Sequence, residues 1–315
     1  MSDARPMLEC TLVIPTYNEA SRIGTVLSSA LSSALPPTCE WRRWVVLDDA
    51  SSDATVQVIN QWMNSNEGPP IDVLISEERQ GKAPNLARFH SSLLSNSCNE
   101  ELVVICDADV KILRESFMEL LTPFADDDKL GVSWGVDVPD SCSFGHWAAS
   151  FQKLAAGRAV LAAGLSAPQA YGRFFAYRVG TLSAFNWVGG LVTDDNQLRW
   201  YLERSGVPCL LNPNAIVEVT LAGNWWDFYL QTHRYYAAEA RVTDQESAID
   251  GPMAKTSNSE YQHDRARWKA FVATAMRHPL MAASYVIARA VALYYHKCQP
   301  ARFEDKWQPP SSTKG

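Results

Sequence analysis

The sequence is notable first for what it lacks. Its cysteines (Cys10, Cys39, Cys98, Cys106, Cys142, Cys209 and Cys298) include no Cys-x-x-Cys pair, and most sit beside apolar residues. That spacing argues against a zinc site or a disulfide framework and for buried free thiols in a reducing compartment. No run of about 20 apolar residues is present, so no segment reads as a spanning helix. Residues 1–9 are polar, and the first apolar run, 12–14, is too short for a signal-peptide core. The expectation is a cytoplasmic protein, peripheral at most on the cytoplasmic face of the membrane. There is no basic excess: 28 basic against 35 acidic residues give a net charge of −7, with no general pull toward nucleic acid. Nor is there a glycine in residues 15–19, after the first apolar run. This excludes the Gly-rich turn of a nicotinamide dehydrogenase and the Gly-rich basic loop usual in a nucleotidyltransferase.

What is present is a globular composition, 47% hydrophobic and 20% charged over 315 residues, enough to bury a sizeable core. Short β-rich runs occur at 11–14, 44–47, 73–75, 102–106 and 132–138, with helical stretches between them. In the clearest of these, 18–35, Ile23, Val26, Leu27, Ala30 and Leu31 follow the spacing of one buried helix face, and Pro36-Pro37 ends it. A second helix is expected to start at 51–53. The alternation predicts an α/β fold with a mostly parallel central sheet flanked by helices. Farther on, 144–163, 194–203 and 225–241 read as helices, 172–177 and 215–219 as strands. From 265 to about 297 the chain reads as helical with a break near Pro279, and residues 308–315 as a disordered tail.

In such a sheet ligands bind at the carboxyl ends of the strands. The residues that follow the first four runs are chemically able: Pro15-Thr16-Tyr17-Asn18-Glu19, then Asp48-Asp49-Ala50-Ser51-Ser52-Asp53, then Arg79-Gln80-Gly81-Lys82, then Asp107-Ala108-Asp109. Carboxylates at Asp107 and Asp109, one residue apart at the end of a buried strand, repel each other, and a divalent cation relieves that conflict. Mg²⁺ takes one or two carboxylates plus substrate phosphates. Asp53 fits a helix cap. Capping does not account for Asp48 and Asp49, one of which can accept the imide N–H of a uracil or contact a ribose. Tyr17 and Glu19 can add contacts to base and sugar, although Glu19 equally fits a helix start. Lys82 can reach a phosphate as a point charge, or lie on the surface as most lysines do. Asp194 and Asp195 open a helix, where they serve either as caps or, for one of them, as a general base. Gln231, Arg234 and Tyr235 share one face of an aromatic helix that suits either core packing or a sugar diphosphate.

Taken together, over about residues 12–241, these motifs resemble the family 2 glycosyltransferases of GT-A fold, in particular the catalytic domain of the polysaccharide-synthase branch. The Pro-x-Tyr-Asn-Glu loop is Pro15 to Glu19, and the Asp-Asp-x-Ser-x-Asp-x-Thr stretch is Asp48 to Thr55. Gly81, Lys82 and Asn85 form the Gly-Lys-x-x-Asn turn, and Asp107 to Asp109 the Asp-x-Asp metal motif. Thr193-Asp194-Asp195 matches Thr-Glu-Asp, and Gln231 to Tyr235 approaches Gln-x-x-Arg-Trp. Asp194 replaces the usual Glu. Tyr235 replaces Trp, keeping a stacking face but losing the indole.

The resemblance implies inverting transfer from a nucleotide-sugar, UDP favoured, to a hydroxyl of a glycan or lipid-linked acceptor. Asp195 is the implied base, and Mg²⁺ or Mn²⁺ the implied cofactor on Asp107 and Asp109. The rival readings are a polyprenyl-phosphate sugar transferase, which needs no strong base, and a non-catalytic nucleotide-sugar-binding protein. The expected organisation is a GT-A domain over 1–245, with a nucleotide-binding half at about 10–112 and an acceptor half at about 130–245. A helical C-terminal segment follows over 246–300, then a disordered tail over 301–315. Residues 279–295 are apolar except for Ser284 and Arg289. They fit equally a pair of packed helices or an interfacial helix on a membrane surface.

Overall fold

The computed structural model describes residues 7–95, 101–140, 147–163, 165–166, 172–189, 194–232 and 257–298. The order is β1 (Leu8–Thr16), α1 (Ile23–Ser32), β2 (Cys39–Asp48), α2 (Thr55–Ser65), β3 (Ile71–Ile75), α3 (Lys82–Ser95), β4 (Leu102–Cys106), β5 (Val110–Ile112) and α4 (Ser116–Asp126). Then come β6 (Val132–Pro139), α5 (Trp147–Ala163), β7 (Phe174–Arg178), a 3₁₀ turn (Val179–Leu182), α6 (Asp194–Ser205) and β8 (Cys209–Val219). Residues 225–232 form α7, and α8 (Ser257–Arg277) and α9 (Pro279–Cys298) follow. The tail expected over 301–315 lies outside the described residues.

Among the described residues eight strands form one sheet in the order β3-β2-β1-β4-β7-β6-β8-β5. β3, β2, β1 and β4 are mutually parallel, whereas β7 runs antiparallel to both β4 and β6. That reversal positions the site. The carboxyl ends of β1, β2, β4 and β6 share one edge with the start of β7, since Cys106 pairs with Phe174. The central strands are buried on both faces, as their continuous apolar runs require. In β4, Leu102, Val104 and Cys106 join a core that includes residues of α1, α2 and α4, while Val103 and Ile105 join a core that includes residues of α3 and α6. This is the strand period of two.

Ile23, Val26, Leu27 and Ala30 of α1 are buried as their spacing predicts, but Leu31 is 37% exposed, at the margin of that face. The helix begins at Ile23 rather than at residue 18, because residues 18–22 belong to a loop at the sheet edge. Likewise α2 starts at Thr55 rather than within 51–53, with Asp53 accepting the Thr55 N–H at 3.0 Å. Lys82, read as a loop residue, opens α3, because the turn is already completed at Gly81, whose φ is +96°. Cys10, Cys39, Cys106 and Cys209 are buried free thiols; the side chains of the other cysteines lie outside what is described.

β8 is longer than the expected 215–219, because Asn212-Pro213-Asn214 obscures its first half. Its pairing with β6 shifts register between Trp134 and Val136. At Gly135, inside that irregularity, an added Cβ would lie 2.3 Å from the Ala215 carbonyl oxygen and 2.5 Å from Phe174 Cδ1. Gly135→Ala is therefore expected to cost about 1–3 kcal/mol by overpacking. Urea denaturation reads this as a lower midpoint, and an unchanged midpoint would show that the strands part freely there.

Candidate active site

The site begins with two left-handed residues in the loops after β1 and β2. Asn18 has φ 54° and Ala50 φ 59°, conformations that a non-glycine residue holds only when its surroundings enforce them. The enforcement is visible. Asn18 N–H donates to Ser51 Oγ at 2.9 Å, and its Oδ1 accepts the N–H of Ser52 at 2.8 Å and of Asp53 at 3.3 Å. Asp48 Oδ2 accepts the Ser51 N–H at 3.0 Å, and Asp49 N–H donates to the Thr16 carbonyl at 2.9 Å. The loops after β1 and β2 are thus one hydrogen-bonded unit.

Asp49 organises the next loop. Its carboxylate accepts the N–H of Gln80 at 2.8 Å and of Gly81 at 2.9 Å, and the Asn85 amide at 2.8 Å. The Arg79 guanidinium lies 3.7 Å from the Tyr17 ring centroid, with its Nε 3.8 Å from Asp49, a cation–π geometry. Asp48 is wholly buried, and its Oδ1 has no hydrogen-bond partner among the described residues. A buried carboxylate oxygen without a donor is costly and marks a place for a ligand N–H or O–H. Glu19 is 5% exposed, its N–H held by Thr55 Oγ1 at 2.9 Å while its carbonyl accepts the Ile23 N–H at the start of α1. Pro15 is half-buried in β1, opposite Leu47.

At the carboxyl end of β4 the second cluster assembles. Lys82 Nζ lies 2.7 Å from Asp107 Oδ1, 2.8 Å from Asp194 Oδ2 and 2.9 Å from the Gly172 carbonyl. Burial works against its charge, but Asp107 and Asp194 outweigh burial and hold the ammonium pKa above its ordinary value. Burial, opposed by Lys82 and reinforced by Asp109, pushes the Asp107 carboxyl up to about 6. Arg173 Nη1 donates to Asp109 Oδ2 at 3.0 Å, and its Nε lies 3.6 Å from Asp137 Oδ2. Lys153 of α5 also pairs with Asp137. Burial alone would raise the Asp137 carboxyl, but Lys153 and Arg173 outweigh it, so its pKa sits below the usual value.

The cluster fits a hard divalent cation. Asp109 Oδ1 is buried with no hydrogen-bond partner among the described residues. The carboxylates of Asp107 and Asp109 are compensated by two cationic side chains, Lys82 and Arg173. Among the described residues no group of three or more His, Cys, Asp or Glu could hold a metal alone. The Asp-x-Asp pair therefore matches a cation that completes its shell with diphosphate and water rather than a protein cage.

Asp194 and Asp195 open α6, and Asp195 Oδ1 accepts the Asn196 N–H at 2.9 Å. Gly172 lets β7 approach them: a Cβ there would lie 3.0 Å from Asp195 Cβ. In α7, Trp225 and Trp226 stack on Tyr229 with centroids 5.9 and 5.0 Å apart, and Gln231 is half-buried. Arg234 and Tyr235 lie outside the described residues, as does Thr193. Reading the motifs alone assigned no role to Arg173, Asp137, Lys153 or Arg79. Asp137 carries a usable signal, an acid near the carboxyl end of a recognised strand.

A mixed sheet with helices on both faces gathers the acids of its strand ends at one edge, where such sheets bind their ligands. Residues 11–184 match the model of glycosyl transferase family 2, more than half of the chain, and the protein belongs to that family. No curated protein matches the chain in sequence. Among solved structures it is similar to the mannosyltransferase PcManGT from Pyrobaculum calidifontis, solved with GDP-Man and Mn²⁺. Identity is 18% over 95% of this chain and 77% of that one, with a TM-score of 0.61. It is also similar to glucosyl-3-phosphoglycerate synthase from Mycobacterium tuberculosis, solved with Mn²⁺, UDP and glucosyl-3-phosphoglycerate. There identity is 17% over 75% of this chain and 80% of that one, with a TM-score of 0.51. The fold is the GT-A arrangement, α/β with C-terminal helices.

Proposed function

We propose that the protein is an inverting, divalent-cation-dependent hexosyltransferase that moves a sugar from a UDP-sugar to a hydroxyl of a glycan or lipid-linked acceptor. The observation that carries this reading is the paired compensation at the end of β4, with Lys82 on Asp107 and Arg173 on Asp109. The Mn²⁺ in both similar structures supports the cofactor, and the UDP in one of them supports the donor, whereas the other holds GDP-Man. On this reading residues of about 10–112 bind the nucleotide, about 130–245 bind the acceptor, and 246–300 form a helical appendage.

Asp107 and Asp109 would hold Mg²⁺ or Mn²⁺, which neutralises the charge of the leaving diphosphate when bound. Lys82 and Arg173, relieved of part of their carboxylate pairing, face the phosphates as donors. Asp48 accepts from the base. One of its oxygens is taken by Ser51 N–H and one is left, which matches the single imide N–H of uracil. Tyr17, backed by the Arg79 guanidinium, offers a flat face to the nucleoside. Pro15 at the end of β1 and Glu19 in the loop after it flank Tyr17, and Asp49 keeps that side in shape by holding residues 80–85. Asp195 takes the proton of the acceptor hydroxyl. The oxygen then bonds to the anomeric carbon as the bond to the diphosphate breaks, and configuration inverts. Asp194 holds Lys82, and Gln231, Arg234 and Tyr235 contact the acceptor or diphosphate.

A panel of UDP-, GDP- and dTDP-sugars with Mn²⁺ tests the donor. The expected result is a thermal shift and nucleoside diphosphate release with a UDP-sugar, both lost with EDTA. Release with GDP-sugars alone would reassign Asp48 to a guanine, and binding without release of any nucleotide would favour a non-catalytic protein.

A further inference from the structure

The C-terminal helices present several large apolar side chains outward. On α8, Trp268 is 66% exposed and Met276 75%, with Val272 between them. On α9, Leu280, Val286, Ile287, Leu293 and Tyr294 are exposed, at spacings that keep them on one face. The buried side of the same helices combines small residues, Ala270 and Thr274 on α8 and Ala282, Ala288 and Ala292 on α9, with two aromatics, Phe271 and Tyr285, that meet Phe151 of α5. The helices thus bury apolar side chains on one side and leave a second apolar face in the open, and an exposed apolar face of this extent marks an interaction surface.

The charges identify the partner. In a chain of net charge −7, α8 and α9 together carry Arg265, Arg267, Lys269, Arg277, Arg289 and Lys297 against only two acids, Glu260 and Asp264 near the start of α8. Arg265 and Lys269 are exposed and share the helical face of Trp268, Val272 and Met276. A second copy of this segment would bring six bases against two acids, an excess that repels. An anionic lipid surface complements them. Among the described residues no helix is long and apolar enough to cross a membrane, and α9 combines apolar and basic residues in the manner of a helix lying in the interface. We infer that the outer face of α8 and α9 docks the protein on an anionic bilayer surface.

The geometry links this surface to chemistry. α5 packs against both α8 and α9 and carries Lys153, which pairs with Asp137 beside Arg173. The bilayer would thus lie one helix layer from the carboxylate cluster, which favours an acceptor anchored in lipid. That last step rests on the proposed transferase activity; the docking itself does not.

The test floats the full-length protein with vesicles of phosphatidylcholine alone and of phosphatidylcholine with phosphatidylglycerol. It should float with the anionic vesicles only, less as salt is added. The charge reversal Arg265→Glu/Arg267→Glu/Lys269→Glu should weaken binding by at least about tenfold. The apolar variant Trp268→Ser/Met276→Ser/Leu280→Ser should stay at the bottom of the gradient. Both change exposed side chains, and both should keep the wild-type circular dichroism and UDP binding with Mn²⁺. No flotation, equal flotation with both vesicle types, or undiminished flotation of the charge reversal would overturn the inference. So would a dimer in solution that the apolar variant dissolves, since a second copy would then cover the face. Wild-type protein that floats but does not bind UDP with Mn²⁺ would leave the docking intact and remove the transferase reading.

Discussion

Asp109→Asn is expected to lower nucleotide release with Mn²⁺ by about a thousandfold, roughly 4 kcal/mol of barrier. The substitution keeps the volume of the side chain and removes its charge. In the wild-type protein Asp109 faces Arg173 through one oxygen, and its other oxygen is buried without a hydrogen-bond partner among the described residues. That second oxygen is the one a cation would use. Arg173 retains Asp137 at 3.6 Å in the variant, so the local fold should survive, and urea denaturation should show a midpoint near that of the wild type. A Mn²⁺ titration of nucleoside diphosphate release reads the effect. Undiminished release at the same Mn²⁺ concentration would remove Asp109 from the cation site.

The second large effect is at Asp195. Asp195→Asn should leave UDP and Mn²⁺ binding within about twofold and lower transfer to a hydroxyl acceptor by about 10²–10⁴-fold, the contribution of a general base. Asp194→Asn is the internal comparison. Asp194 sits 2.8 Å from Lys82, so its loss should act on donor affinity, through a lysine whose one remaining carboxylate partner is Asp107. A rise in donor KM for Asp194→Asn and a fall in kcat for Asp195→Asn would separate the two adjacent acids. Wild-type transfer by Asp195→Asn would point to an acceptor that needs no base, as a polyprenyl phosphate does.

Much of this site was legible in the sequence because its residues are unusual where they stand. Tyr17, Asp48, Lys82 and Asp107 each follow a β-rich run, and a parallel sheet brings such positions to one edge. What could not be read was the reversal of β7. Residues 172–177 looked like a strand, but nothing in them says that it runs antiparallel between β4 and β6. Without that, Arg173 is one of two bases flanking an apolar run, and its contact with Asp109 has no visible reason. Asp137 and Lys153 were hidden for the same cause, since both gain their meaning from Arg173. Asp49 shows a different limit. Its neighbour Asp48 keeps an oxygen without a donor while Asp49 spends its carboxylate on Gln80, Gly81 and Asn85, and adjacent identical residues carry no sign of that division. The C-terminal helices were legible as helices with a break at Pro279. Which of their faces points outward depended on how α5 packs against them.

The central claim is that Asp107 and Asp109 hold a divalent cation together with the donor diphosphate. Anomalous diffraction from crystals soaked with Mn²⁺ and UDP tests it most directly. A single Mn²⁺ peak is expected between the two carboxylates and the diphosphate, with Lys82 and Arg173 turned from the aspartates toward phosphate oxygens. UDP bound with no peak at that position, or a peak held by other residues, would contradict the account.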